Sequence, residues 1–204
     1  MPSIKRKSAP GVKAGRVQKQ NNWEPSSDLY DAEVEPGQPG MPLIFRKRPG
    51  EGFRHVLLQK DVVDFIGILP QWDELSRGLN AVVLAPGNWG VLGCHYPGVI
   101  HLCAWERDLS VLVSTRYYES RRSTFEMLGV PCERDEDEML CHFTEATARA
   151  YLLLSTFLHE SGHHHDRMTT RSRLDSCRGE PFAVAYASEH GQKIWTRYCS
   201  LFDL

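Results

Sequence analysis

The chain is expected to fold as an α+β domain in which a small mixed sheet precedes a group of helices, and three features of the sequence point there. Residues 43–113 break into short apolar runs separated by Gly, Pro and charged turns, the pattern of strands only a few residues long. Residues 144–158 contain neither Gly nor Pro and carry apolar side chains at helical spacing, so that Tyr151, Leu154, Leu158 and Gly162 fall on one stripe. A last run, from Pro181 through Tyr186 and Ala187, is built of small helix-compatible residues behind a first-turn proline.

Residues 1–40 stand apart from this pattern. Lys5, Arg6, Lys7, Lys13, Arg16 and Lys19 precede any acidic residue, and Gly, Pro, Ser, Gln and Asn fill the gaps between them. The expectation is a disordered basic tail, joined by the Pro- and Gly-rich segment 36–42 to a domain spanning 41–204. Without those six cations the rest of the chain holds 18 basic against 26 acidic residues, a net charge near −8. A basic arm over residues 1–22 can touch nucleic acid or an acidic partner, or remain a solvated tail.

Within the domain, 43–45 and 55–58 read as short strands, and 62–69 and 72–79 as helices interrupted by Pro70. Residues 81–85 form a strand ended by Pro86 and Gly87, and 98–105 with 109–113 suggest a hairpin across Glu106, Arg107 and Asp108. The segment 98–104 is the candidate exposed sheet edge, with an internal strand as its alternative. The acidic run from Glu133 to Glu138 reads as a solvated helix start, with attraction of basic substrates as the other reading.

Composition limits the possibilities further. A chain of 204 residues, 41% hydrophobic and 25% charged with a formal net charge of −2, has enough apolar residues for one globular core. No apolar run reaches the length of a membrane span, and the basic start is followed by no apolar segment of a secretory signal. The expectation is a cytoplasmic protein with no membrane partner. Cys94, Cys103, Cys132, Cys141, Cys177 and Cys199 include no Cys-x-x-Cys spacing, which reads as reduced thiols rather than a cysteine-built metal site.

The most specific chemistry lies at the end of the long helix, where His159-Glu160-x-x-His163 sets two imidazoles four residues apart with a carboxylate beside the first. One helical turn presents both rings to a single Zn²⁺ and leaves Glu160 beside a metal-bound water. His164 and His165 leave the helix 100° and 200° away from His163 and cannot share that ion. Asp166 continues the motif side, either to orient a ligand imidazole or as a surface carboxylate at the helix end, and Gly162 lets another segment approach closely.

A catalytic zinc site needs one more protein ligand. Glu180 is the leading candidate, because the polar stretch 167–179 reads as a reversal that brings the following helix back to the histidines; Asp175 and His190 are its competitors.

His159-Glu160-x-Gly162-His163-x-x-Asp166, followed by Glu180-x-Phe182-Ala183-x-Ala185-Tyr186, resembles the gluzincin metallopeptidases and is locally similar to the catalytic domains of the anthrax lethal factor group. The likeness covers residues 157–186 only. Val184 stands where that group carries a second acid, and the interval to Glu180 is closer to thermolysin-like spacing, so the resemblance is to the broad class. It implies a zincin-like fold, Zn²⁺ on His159, His163 and Glu180, Glu160 as general base, and a tyrosine at the developing oxyanion, for which Tyr186 is the candidate. A metzincin would need a third histidine where Thr169 stands.

The functional expectation is a zinc metalloendopeptidase in which Glu160 takes the proton of the attacking water and passes it to the leaving amine, with Tyr186 or Tyr198 near the oxyanion. A peptide or protein substrate would lie extended along a sheet edge. Two alternatives are a regulatory or nucleic-acid-associated zincin-like domain guided by the basic arm, and a non-catalytic domain whose zinc is structural.

Overall fold

The computed structural model describes residues 40–170 and 178–204. The basic tail, most of the linker, Asp175 and Cys177 therefore lie outside the described residues. The architecture is α+β. Its main sheet has four strands in the order β1 (Leu43–Arg46), β3 (Ala81–Ala85), β5 (Val99–Cys103), β4 (Gly93–Tyr96). β1, β3 and β5 run parallel, and β4 closes the order antiparallel to β5.

Each strand is placed by what it must bury. β3 is Ala-Val-Val-Leu-Ala, apolar at every position and buried at every position, which suits the interior of a parallel sheet covered on both faces. Val82 and Leu84 face the main core with Ile100 and Leu102, while Ala81, Val83 and Ala85 join Val99, Cys103, Leu43 and Phe45 on the other side. The β1 to β3 crossover carries α1 (Gln59–Ile68), which buries Val62, Phe65 and Ile66, and a single turn α2 (Trp72–Leu75). A two-stranded ribbon, β2 (Phe53–Arg54) with β6 (Trp105–Glu106), lies beside it.

The antiparallel sheet β7 (Ser110–Ser114), β9 (Glu138–His142), β8 (Cys132–Asp135) follows, with α3 (Thr115–Met127) inserted between β7 and β8. Ser114 begins α3 by accepting the backbone N–H of Tyr117 on its hydroxyl, as an N-cap does. Thr144 caps α4 (Glu145–Tyr151) through Thr147 in the same way. From there the chain runs without a break through a π-helical stretch, Leu152–Phe157, into α5 (Leu158–Thr169). All six residues of the wide turn are buried against the core, and α6 (Gly179–Phe202) packs back along α5.

Several local expectations are corrected by long-range pairing. Residues 55–58 are not a strand, because the short pairing ends at Arg54 and Leu58 instead precedes α1, its backbone N–H held by the Asp61 carboxylate. The helix expected over 72–79 stops after Leu75, and Gly78 takes a positive φ of 78° just beyond it. Residues 98–105 and 109–113 do not pair with each other: β5 lies between β3 and β4, and β7 pairs with β9. The true hairpin is β4–β5, turned by Pro97 and Gly98 with Gly98 at φ 72°, the Pro-Gly order of a two-residue turn with a left-handed second position. The sheet edges are accordingly β1 and β4, and the candidate edge 98–104 is internal.

The acidic run 133–138 forms the β8–β9 hairpin and not a helix start, since Cys132 and Cys141 are directly opposite in register and joined by a disulfide. That bond departs from the expectation of reduced thiols, whereas Cys94, Cys103 and Cys199 are free. Among the described residues no helix is long and apolar enough to cross a membrane.

Candidate metal centre

His159 and His163 share one face of the first turns of α5 with Glu160 beside the first, and α6 delivers Glu180 at its second residue. His159 Nε2 and His163 Nε2 are 3.2 Å apart. Glu180 spans them, with Oε2 3.2 Å from His159 Nε2 and Oε1 3.1 Å from His163 Nε2. The side chains of the histidines are 11% and 12% exposed and that of the glutamate 71%, so two imidazoles form a floor and one carboxylate forms the rim.

This spacing fits a small tetrahedral cation. Bonds of about 2.0–2.1 Å at tetrahedral angles set ligand atoms about 3.3–3.4 Å apart, close to the three separations observed. His159, His163 and Glu180 are also the group of metal-ligand types found together among the described residues. His159 Nδ1 and His163 Nδ1 are buried without a hydrogen-bond partner among them. Burial, then the neighbouring His163 and Arg121, pushes the His159 imidazole down to about 4, which keeps Nε2 available as a lone-pair donor at neutral pH.

Two glycines let the elements meet at this level. A Cβ on Gly162 would sit 3.0 Å from Ala183 Cα and 3.1 Å from Tyr186 Cβ, so the motif glycine is where α6 crosses closely enough to return Glu180. A Cβ on Gly93 would sit 2.4 Å from Thr156 Cγ2 and 3.4 Å from Glu160 Cγ, so β4 lies directly on the helix beside the motif carboxylate. The π-helical stretch sets Ser155 and Thr156 into the wall of the same cavity.

Asp166 does neither thing expected of it. It is fully buried and holds the start of α6: Oδ2 accepts the Arg178 backbone N–H at 2.8 Å, and Oδ1 meets Arg178 Nε at 3.1 Å. The carboxylate thus positions Glu180, two residues further on, rather than an imidazole. His164 points away from the cluster as its helical angle requires. Its Nε2–H donates to the Arg77 carbonyl at 3.0 Å, leaving Nδ1 to accept from His95 Nε2 on β4 at 3.3 Å. His165 lies against Phe182 and Tyr186, and the His190 ring is 4.1 Å from that of Tyr186, so neither joins the cluster.

Glu160 is 7% exposed and faces a cavity of about 740 Å³ that also contains the three candidate ligands. Burial above all, with the Glu180 carboxylate second, pushes its acid up to about 8. From α3, Tyr117 and Arg121 line the cavity. Tyr186 does not: its ring packs against Gly162 between His165 and His190. Tyr198 is buried in the core against Phe65 and Phe202. Tyr117 and Arg121 went unnoticed in the sequence because α3 carries no motif and meets the helix only through the tertiary fold. The one local signal was Ser114 before a run free of Gly and Pro.

No protein-family model, curated protein or solved structure matches the chain. The class supported by fold and site is therefore an α+β domain with a candidate three-ligand metal centre, and that class rests on the geometry alone.

Proposed function

We propose that the protein is a zinc-dependent metallopeptidase of zincin-like architecture. The observation that carries the reading is the convergence of His159, His163 and Glu180 at mutual distances of 3.1–3.2 Å beside Glu160, all facing an open cavity. Three protein ligands with one side open is the ligand count of catalytic zinc, whereas structural zinc is closed by a fourth protein ligand. When bound, zinc supplies a Lewis acid and lowers the pKa of water towards about 7.

The chain's own residues supply the rest. Glu160, buried beside the ligands, accepts the proton of the attacking water and returns it to the leaving amine. Burial raises the affinity of this carboxylate for a proton, which suits the hand-over to the leaving amine, and a cation held by the neighbouring ligands would favour the ionised form that first accepts one. Tyr117 lines the same cavity with its hydroxyl 2.9 Å from that of Tyr151, and with Tyr151 donating to it, Tyr117 keeps a proton for charge that develops on the scissile carbonyl. β4 pairs with β5 alone among the described strands, and its free edge borders the cavity through Gly93, Cys94 and His95. An extended peptide can add to that edge by backbone hydrogen bonds.

The deciding experiment pairs metal analysis with hydrolysis of a peptide library. Wild-type protein is expected to bind one zinc and cleave, to lose cleavage with a chelator, and to regain it with zinc. Glu160→Gln is expected to keep the zinc and lose at least 1,000-fold in kcat, on the order of a general base's contribution. Full activity of that variant would remove the mechanism.

A further inference from the structure

A second cavity, of about 750 Å³, opens from the same centre. His159 and Glu180 stand in its wall as they do in that of the first, and it runs on between α3 and the first turns of α6. Its floor is apolar and made of small residues of α6, Val184, Ala185 and Ala187, which leave the space open. Its other wall is cationic, with Arg116 and Arg121 among its lining residues. Among the described residues of the lining the only acid is Glu180, whose charge the metal would take up.

Arg121 stands where the two cavities meet. Its guanidinium lies over the Tyr117 ring at 4.1 Å from the centroid and donates to Ser120 Oγ at 3.2 Å. It forms no ion pair with a carboxylate among the described residues, although Arg122, next along the helix, pairs with both Glu119 and Glu126. A guanidinium half-buried in a cleft, held by a ring face and one hydroxyl, keeps donors free in the fork geometry that matches a carboxylate. Ser120 donates its proton to the Tyr117 carbonyl at 2.7 Å and so serves to hold the guanidinium, while the Ser123 and Ser188 hydroxyls in the same lining add donors.

We propose that this cavity is a specificity pocket for a substrate carboxylate, with Arg121 as its anchor. The inference rests on the peptidase reading for the word substrate, and it assigns the class: peptides that present a carboxylate one residue from the scissile bond. An acidic side chain and a free C-terminus offer the same chemistry. Arg121→Glu turns the pocket from cationic to anionic and reverses the preference.

The test uses zinc-loaded protein and metal-anchored probes, so that binding is read apart from turnover. Succinic acid monohydroxamate carries a carboxylate two carbons from its metal-binding group, its amide is the neutral analogue, and acetohydroxamate reports the centre alone. By calorimetry the acid is expected to bind wild type at least tenfold more tightly than the amide. That ratio is expected to fall to within about twofold of one in Arg121→Gln and below one in Arg121→Glu, consistent with loss of a charge-assisted hydrogen-bonded pair. Acetohydroxamate affinity held within about threefold shows that the centre has survived the substitution. Arg116→Gln checks the outcome, because the more exposed cation is expected to change the ratio less.

A cleavage arm separates the two carboxylate sources. Acetylated, amidated peptides containing Glu or Asp are cut beside those residues if the side chain is the ligand, and only peptides with a free C-terminus are trimmed if the terminus is. Equal binding of acid and amide by wild type, or a preference that survives Arg121→Gln, overturns the pocket. If no peptide is cut while the hydroxamate ratio behaves as stated, the peptidase reading fails and the carboxylate site stands.

Discussion

Gly162→Ala isolates the contact that returns Glu180 to the histidines. The new Cβ would lie 3.0 Å from Ala183 Cα and 3.1 Å from Tyr186 Cβ. Carbon pairs rest at about 3.5–4.0 Å, so α6 must retreat by roughly 0.5–1 Å, and the nearer obstacle is backbone that cannot rotate away. Alanine regains about 1 kcal/mol of helix propensity over glycine, while overpacking costs about 1–3 kcal/mol, which leaves the metal-free fold between unchanged and about 2 kcal/mol weaker. The metal site is less forgiving, because ligand distances tolerate only about 0.2 Å. A displaced Glu180 is therefore expected to weaken zinc binding by about 10- to 100-fold, the range seen when groups that position ligands are removed. Competition against a chromophoric chelator measures the affinity, and thermal melting of the metal-free protein measures the fold. Unchanged zinc affinity together with a raised Tm would refute the argument that close packing at Gly162 places the third ligand.

Two further outcomes follow from buried polar groups. Asp166→Asn removes the charge that binds Arg178 and is expected to cost about 2–4 kcal/mol in denaturant unfolding and to lower zinc affinity, whereas an orienting role for an imidazole would alter the affinity alone. Burial, with His164 and Arg167 next, pushes the His95 imidazole down to about 3, so the folded state disfavours its protonation. Its contribution is complete above the unfolded value of about 6.5 and is lost as pH falls towards 3, at most about 2 kcal/mol by pH 5. Melts of the metal-free protein between pH 7 and 5 are expected to fall less steeply for His95→Gln than for wild type, and parallel slopes would exclude His95 as the source.

The motif and its helix were legible because they are local. Two imidazoles four residues apart share a helical face whatever the rest of the chain does, and Glu180 behind a proline and a polar reversal could be picked out by chain length and turn chemistry. Gly162 was readable as a close approach, although which residues approach it was not. The strands were harder. Val56 and Leu57 are buried core residues, so their hydrophobicity was read correctly and their pairing was not: burial can be met by a turn docking on the core as well as by a ladder. The acidic run likewise met its solvent requirement in a hairpin, where a disulfide fixes the register.

The sequence by itself determined the α+β order of elements, the spacing of the two histidines with Glu160, and the candidacy of Glu180, since each depends on backbone periodicity over a few residues. Only the tertiary structure decided that Asp166 serves α6 instead of an imidazole, that β4 is the edge beside the site, and that Tyr117 and Arg121 line the cavity that holds the candidate ligands. Those facts depend on which distant surfaces bury each other, and that choice is made by packing the whole core at once.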